Sequence, residues 1–310
     1  MIFRATRIVV GCRSYSTARQ STIQLLAELR KATNAPIMKV RQALTENGNN
    51  VEAALAWLEK DLANSGAEKA SKFKGRTTAE GLISISVLNG GFGTPTASSN
   101  GLVKAAMIEL NCETDFVART EQFTRTAAEI AHSVAATAQS KSETVFQPVD
   151  VDHLLATSLN SSIRDLIART GENITLRRAT TISCRADDVL RLASYAHNAS
   201  AQLPSQGRIG ALSLLSYRSS RVHDLFEKEK FVLDAEKIER ALARQIVGFS
   251  PASVNSLYDQ QFAMLAGDMA QLPVHQVMSS WKHQWALDVF QVVDFVKWEV
   301  GEQIQKSTDI

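Results

Sequence analysis

Apolar side chains recur at helical spacing through the first fifth of the chain. Ile23, Leu26 and Leu29 form one set, Ile37, Val40 and Leu44 a second, and Val51, Ala54, Leu55, Leu58 and Leu62 a third. Each set shares one face of a helix, so residues 21–63 are predicted to form a small three-helix bundle. The punctuation agrees. Ser21 with Gln24 has the capping-box pattern, and Pro36 sits where a first-turn proline is tolerated. Asn47-Gly48 stops the second helix, and Asn50 is placed to cap the third. Residues 64–78, NSGAEKASKFKGRTT, carry no sustained apolar stripe and read as a linker or a fraying helix end.

From Ala79 the period changes to two. Leu82–Val87 reads as a strand, Asn89 to Asn100 as a long glycine-bearing hairpin connection, and Leu102–Cys112 as the antiparallel partner. The chain then turns through Thr114-Asp115-Phe116-Val117 into a helix marked by Phe123, Ala127, Ile130, Ala131 and Val134. A further helix is predicted over 150–169, ending near Gly171, and a strand over Ile174–Ser183 with Arg177-Arg178 near its middle. This unit spans 79–184. A second one, 185–310, is predicted to hold a strand at Ile209–Leu215, a helix capped by Asp234, a helix near 275–286 and a terminal strand from Val292 to Val300. Strands and helices without regular βαβ alternation favour an α+β fold with antiparallel sheets.

Charge changes the picture at one end only. The net charge is +2, but the first twenty residues hold four arginines and no acid, and setting those four aside leaves 30 basic against 32 acidic residues. MIFRATRIVVGCRSYSTARQ therefore reads as a mitochondrial transit peptide over 1–20, arginine-rich, serine-bearing and acid-free. Import into the mitochondrial matrix is expected. No apolar run approaches the roughly 20 residues of a membrane helix, so no membrane partner is expected. Cys12 lies in the leader, while Cys112 and Cys184 have no metal-like spacing and read as buried reduced thiols.

Motifs for chemistry are missing. The six histidines are scattered, without HExxH, and neither GxSxG nor zinc spacing occurs. Asn89-Gly90-Gly91-Phe92-Gly93 lacks the GK[ST] ending of a phosphate loop, and Lys69, Lys72, Lys74 and Arg76 are interleaved with one aromatic, Phe73, too sparse for a nucleic-acid face. No cofactor, metal, direct nucleic-acid partner or enzymatic activity is expected.

The most informative stretch is Glu109-Leu110-Asn111-Cys112-Glu113-Thr114-Asp115-Phe116-Val117-Ala118-Arg119. It closes a strand with an acid and a large ring side by side where the chain leaves the sheet. These eleven residues resemble the second signature of the elongation factor Ts family. Leu29–Thr33 and Arg41-Gln42-Ala43-Leu44 are similar to the family's opening ubiquitin-associated-like domain, and Gly171-Glu172-Asn173-Ile174, Ser194–His197, Arg208-Ile209-Gly210 and Phe295–Glu302 to its core. The resemblance implies a three-helix ubiquitin-associated-like bundle followed by two α+β core subdomains with antiparallel sheets. It also implies a non-enzymatic exchange factor that promotes GDP release from mitochondrial elongation factor Tu, GDP-bound or nucleotide-free, as a monomer in a one-to-one heterodimer.

Asp115 and Phe116 would intrude near the magnesium and phosphate site of that GTPase. Asn111, Thr114, Val117, Arg41, Gly171 and His197 would join them in contacting the partner. The chain departs from the family in a longer 89–101 connection, in Thr170 where an apolar residue is usual, and in having no sustained heptads between 230 and 290. The competing reading is an adaptor or RNA-associated matrix protein that uses the helical bundle and the basic linker.

Overall fold

A computed structural model of the protein describes residues 22–33, 35–97, 101–139, 145–156, 159–185, 188–198, 203–265 and 267–304. The leader and the Ser21 cap fall outside them. The chain forms two compact units, the first ending at Leu62 and the second beginning at Ala63.

The first unit comprises α1 (Thr22–Thr33), α2 (Ile37–Glu46) and the opening turns of α3 (Val51–Phe73). Leu25, Leu29, Val40, Ala43, Leu44, Ala54 and Leu58 close a core of their own. Asn50 caps α3 as expected, its Oδ1 accepting from Ala53 N at 3.1 Å. Ile23 departs from its expected place. It is 80% exposed, and Leu25 turns inward instead.

The second unit continues with β1 (Glu80–Gly90), β2 (Val103–Cys112), α4 (Asp115–Ala118), α5 (Glu121–Thr137), β3 (Gln147–Val149), α6 (Val151–Leu155), α7 (Leu159–Thr170) and β4 (Thr175–Cys184). After these come β5 (Val189–His197), β6 (Gln206–Gly207), β7 (Ile209–Arg218), α8 (Val222–Phe226), α9 (Glu229–Phe249) and α10 (Val254–Asp259). A 3-10 turn at Gly267–Gln271, α11 (Val274–Gln284) and β8 (Val289–Glu299) complete it. Two antiparallel sheets form, in the orders β3-β4-β2-β1-β6 and β5-β7-β8. The α+β class with a helical amino-terminal bundle is therefore the architecture found.

Alternation along β2 explains how the layers stack. Ala106, Ile108, Leu110 and Cys112 face a core shared with Phe123, Ile130 and Val134 of α5 and Ile163, Leu166 and Ile167 of α7. Val103, Ala105 and Met107 face the other way, into a core shared with Leu190, Leu192, Leu212 and Leu214 of the second sheet. The two sheets thus bury one face each against the other. The outer face of the second sheet carries the largest core, in which Tyr217, Phe226, Phe231, Trp281 and Phe290 pack beneath α9 and α11. Apolar residues on both faces of β2 follow from burial on both sides.

Several expectations change. Residues 64–73, read as a linker or a fraying helix end, are helical through Phe73. The reason is contact through small residues, which an apolar count misses. A Cβ at Gly66 would lie 2.8 Å from the backbone oxygen of Arg164, Ala70 and Phe73 rest on the core behind β2, and Lys69 Nζ donates to Ala168 O at 2.7 Å. Asp234 does not cap a helix. It lies inside α9, where Oδ2 accepts the indole N–H of Trp281 (3.3 Å) and of Trp285 (3.1 Å). The helix expected over 150–169 is two helices, α6 and α7, and β5 runs through residues 189–197, where no strand was assigned. Cys112 and Cys184 are free, buried thiols as expected.

Candidate functional site

The chain leaves β2 at Cys112 and makes the four-residue helix α4. Thr114 is its N-cap, Oγ1 accepting from Val117 N at 3.4 Å. Ala118 is buried and Val117 half-buried on the core behind β2, so the short helix is pinned along one side. Phe116 points the other way and is 80% exposed, as much as any large apolar side chain among the described residues. Beside it Asp115 pairs with Arg119 at 3.0 Å across one helical turn. Both partners reach water, so this pair holds the carboxylate loosely.

Behind the tip the packing is polar. Glu113 and the Gly171 turn exchange carboxylates: Glu113 Oε1 accepts from Asn173 N at 2.6 Å, while Glu172 Oε2 accepts from Glu113 N (3.1 Å) and Thr114 N (3.0 Å). Glu172 Oε1 takes the Thr114 hydroxyl at 2.6 Å. Gly171, with φ +74, supplies the left-handed residue that ends α7 and aims Glu172 at the tip. Thr170 steadies the same turn, its hydroxyl donating to Leu166 O and accepting from Glu172 N.

Asn111 is buried on the face of β2 that meets the second sheet, two residues beyond the fully buried Glu109. Its Nδ2 donates to Glu109 Oε1 at 3.2 Å, and its Oδ1 has no hydrogen-bond partner among the described residues. Glu109 also accepts from Arg177 Nη1 (2.9 Å), Arg178 Nε (2.6 Å) and Gly301 N (2.9 Å). Consecutive strand residues ordinarily face opposite ways. A bulge at Arg177 breaks the alternation, since Glu109 is opposite Arg178 and Leu110 is opposite Leu176, and it lets both arginines reach one carboxylate. Arg177 and Arg178 then carry the grip to the carboxyl-terminal segment through the carbonyl and carboxylate of Glu302.

Cys112 lies between these two networks. Its thiol donates to Thr114 O at 3.1 Å. Burial first, then the charges of Glu172 and Glu80, push its pKa up to about 12, so it stays a protonated thiol at neutral pH.

His197 is exposed at the end of β5. A groove of about 670 Å³ runs beside the tip, with Asp115, Ala118, Arg119 and Glu121 on one wall and Asn198, Leu203 and Arg208 on the other. The tip and Asn198, the residue after His197, therefore border one surface. Gln206 of β6 joins the second wall to α5 and β1, Nε2 donating to Thr124 O at 2.8 Å and to Ser84 Oγ at 3.1 Å. Arg41 belongs to the first unit, exposed on α2. The structure thus brings Asn111, Thr114, Asp115, Phe116, Val117 and Gly171 into one locus, with His197 next to its groove. Among the described residues no group of three or more His, Cys, Asp or Glu side chains is arranged to hold a metal.

Residues 113–258 match the sequence model of the family described as elongation factor TS. The chain is 42% identical to the mitochondrial elongation factor Ts of Coprinopsis cinerea over 94% of its own length and 96% of the relative's. It is 43% identical to that of Laccaria bicolor, over 94% and 95%. The chain belongs to the elongation factor Ts family. A third relative, mitochondrial elongation factor Ts 2 of Postia placenta, is 35% identical over 97% of this chain. Membership gives the protein a role in translation elongation, and relatives named as mitochondrial agree with the matrix location expected from the leader.

Three residues of the locus were not singled out from sequence. Sequence and resemblance mark Glu172 only as part of a family-like turn and Glu109 only as the start of the signature, and they leave Gln206 unmarked. A signal existed for Glu109, because an acid at a position where alternation demands an inward side chain needs a partner, and Arg177-Arg178 was in view. No sequence signal marks Gln206.

Proposed function

We propose that the protein is a guanine-nucleotide exchange factor for mitochondrial elongation factor Tu, acting as a monomer in a one-to-one complex and without chemistry of its own. The observation that carries this reading is Phe116, 80% exposed on a four-residue helix that is pinned to the core along its other side and gripped at its start by Glu172. An exposed ring on soft backbone would fold back on its own surface. Held from behind, it is an apolar wedge for a partner.

In a GTPase, Mg²⁺ bridges the phosphates and a loop hydroxyl, and it demands near-octahedral ligation. Phe116 would part elements of the partner's nucleotide domain, and Asp115, only loosely paired, would disturb the polar shell around the metal. Nucleotide is then weakened by the factor, and the factor by nucleotide to the same degree. Asn111, Thr114, Val117 and Gly171 support the wedge, while His197 and Arg41 add docking contacts.

The test is stimulated release of a fluorescent GDP analogue from elongation factor Tu, followed against factor concentration. Phe116→Ala should lower the plateau rate by roughly 5- to 150-fold, the span of a typical allosteric coupling. His197→Ala should move the midpoint and leave the plateau largely in place. An unchanged plateau for Phe116→Ala would remove the wedge from the mechanism.

A further inference from the structure

The wedge works only if its base does not yield, and α4 has little rigidity of its own. A helix of four residues is too short to gain from cooperative propagation. Its first N–H groups have no intrahelical partners, and the one side-chain cap, Thr114 Oγ1 to Val117 N, is long at 3.4 Å. Something else must set the angle at which β2 turns into α4.

We propose that Glu172 is a positioning residue for exchange, holding the strand-to-helix turn so that Phe116 is presented at a fixed angle; this rests on the exchange-factor reading above. One carboxylate grips three donors that flank the turn, Glu113 N (3.1 Å), Thr114 N (3.0 Å) and the Thr114 hydroxyl (2.6 Å). Bonds to an ionised acceptor are about twice as strong as neutral ones. The three donors sit within two consecutive residues, so together they fix the direction of the chain as well as its place. Glu172 is itself restrained. Its backbone N–H meets the Thr170 hydroxyl at 3.4 Å, and the next residue, Asn173, is tied by its own N–H to Glu113 and by Nδ2 to Arg76 O at 3.0 Å.

When a partner pushes back on Phe116, the load passes through Thr114 to Glu172 and the end of α7, a long helix packed in the core. Without the carboxylate, Glu113 N and Thr114 N would turn to water and the tip would swing. The wedge would still dock, and it would transmit less distortion.

The experiment uses the full chain with elongation factor Tu carrying the fluorescent GDP analogue, and compares Glu172→Gln, Phe116→Ala and the double variant. Expected for Glu172→Gln are an unchanged midpoint, a plateau lowered about tenfold, within the span of allosteric coupling, and faster amide hydrogen exchange at Glu113 and Thr114. Because Glu172 acts through the placement of Phe116, the double variant should be no slower than Phe116→Ala alone. If Glu172→Gln does not fold, Glu172→Asp is read in the same way, since the shorter acid cannot span all three donors.

A normal plateau for the Glu172 variant beside a lowered one for Phe116→Ala would overturn the positioning role while leaving the wedge standing. Multiplicative effects in the double variant would overturn it too. A Phe116→Ala plateau equal to that of the parent would instead remove the wedge on which it rests, and a parent chain that stimulates no GDP release would overturn the exchange reading itself.

Discussion

Two buried carboxylates make opposite use of arginine. Glu239, on α9, is enclosed in the aromatic core beneath the second sheet, where Arg191 Nε (2.6 Å) and Nη2 (3.0 Å) and the Tyr217 hydroxyl (2.6 Å) all meet it. Both side chains of that ion pair are almost wholly out of water, at 1% and 6% exposure. Glu109 is as deeply buried, yet its partners Arg177 and Arg178 keep 25% and 14% of their side-chain surface exposed. The first group is sealed inside a core that needs it neutralised. The second lies at the rim of the space between the sheets, and what it grips is the base of the tip and the carboxyl-terminal segment. A sealed pair holds the fold, whereas a rim network holds a surface feature in place.

The contrast is broken most severely by Arg191→Ala. It strands Glu239 without a counter-charge, also frees the Phe92 carbonyl that Arg191 Nη1 contacts at 2.7 Å, and should destabilise by about 3–5 kcal/mol in urea titration. Replacing Arg191 and Glu239 together by apolar residues of similar volume should recover much of that loss, because the desolvation cost disappears with the charges.

Glu109→Gln should cost less, about 1–3 kcal/mol, because the arginines it releases can turn to solvent. Its signature should be local, with faster amide exchange at Gly301, whose N–H it holds. A loss equal to that of Arg191→Ala would mean that the rim network is part of the core after all.

The thiols act only in alkali. Burial leads in raising Cys112 from 9.0 to about 12 and Cys184 from 9.0 to about 11. Each folded pKa lies above its unfolded value, so the contribution is fully present below pH 9 and is lost as pH rises towards 11 and 12. Denaturation midpoints should therefore be level in these groups up to pH 9 and fall beyond it, and the fall should shrink in a Cys112→Ala variant.

Phe116→Ala should have the smallest effect on stability, within about 0.5 kcal/mol, since an exposed ring supports nothing in the fold. The same variant is expected to cripple exchange. A stability loss of core size would show instead that the ring packs inward in solution.

Much of this layout is legible in the residues alone. The stripes over 21–62 specify three helices because each buries one face, and the alternation in 82–87 and 102–112 specifies paired strands. Asp115 and Phe116 stand out through the eleven-residue resemblance that contains them, since a phenylalanine after a strand is by itself more often part of a core. Periodicity fails where burial is not periodic. In β5, Val189 to Ala193 are buried without interruption, so no alternation advertises the strand. Residues 64–73 make their contact through Gly66, Ala70, Phe73 and Lys69, too sparse an apolar set to form a stripe.

What the sequence by itself determined is therefore most of the local elements, the Asn50 cap and the stop at Asn47, the thiol character of Cys112 and Cys184, and the residues at the tip. Each depends on neighbours within a turn or two, which the chain order already contains. Tertiary structure alone decided that Glu172 reaches back 58 residues to Thr114 and that a bulge sets two arginines on Glu109. It also decided that Asp234 receives two indoles in place of a cap, and that Gln206 ties β6 to α5. Those choices depend on which polar groups remain unpaired once the sheets close on each other, and a buried group takes the partner that geometry brings to it.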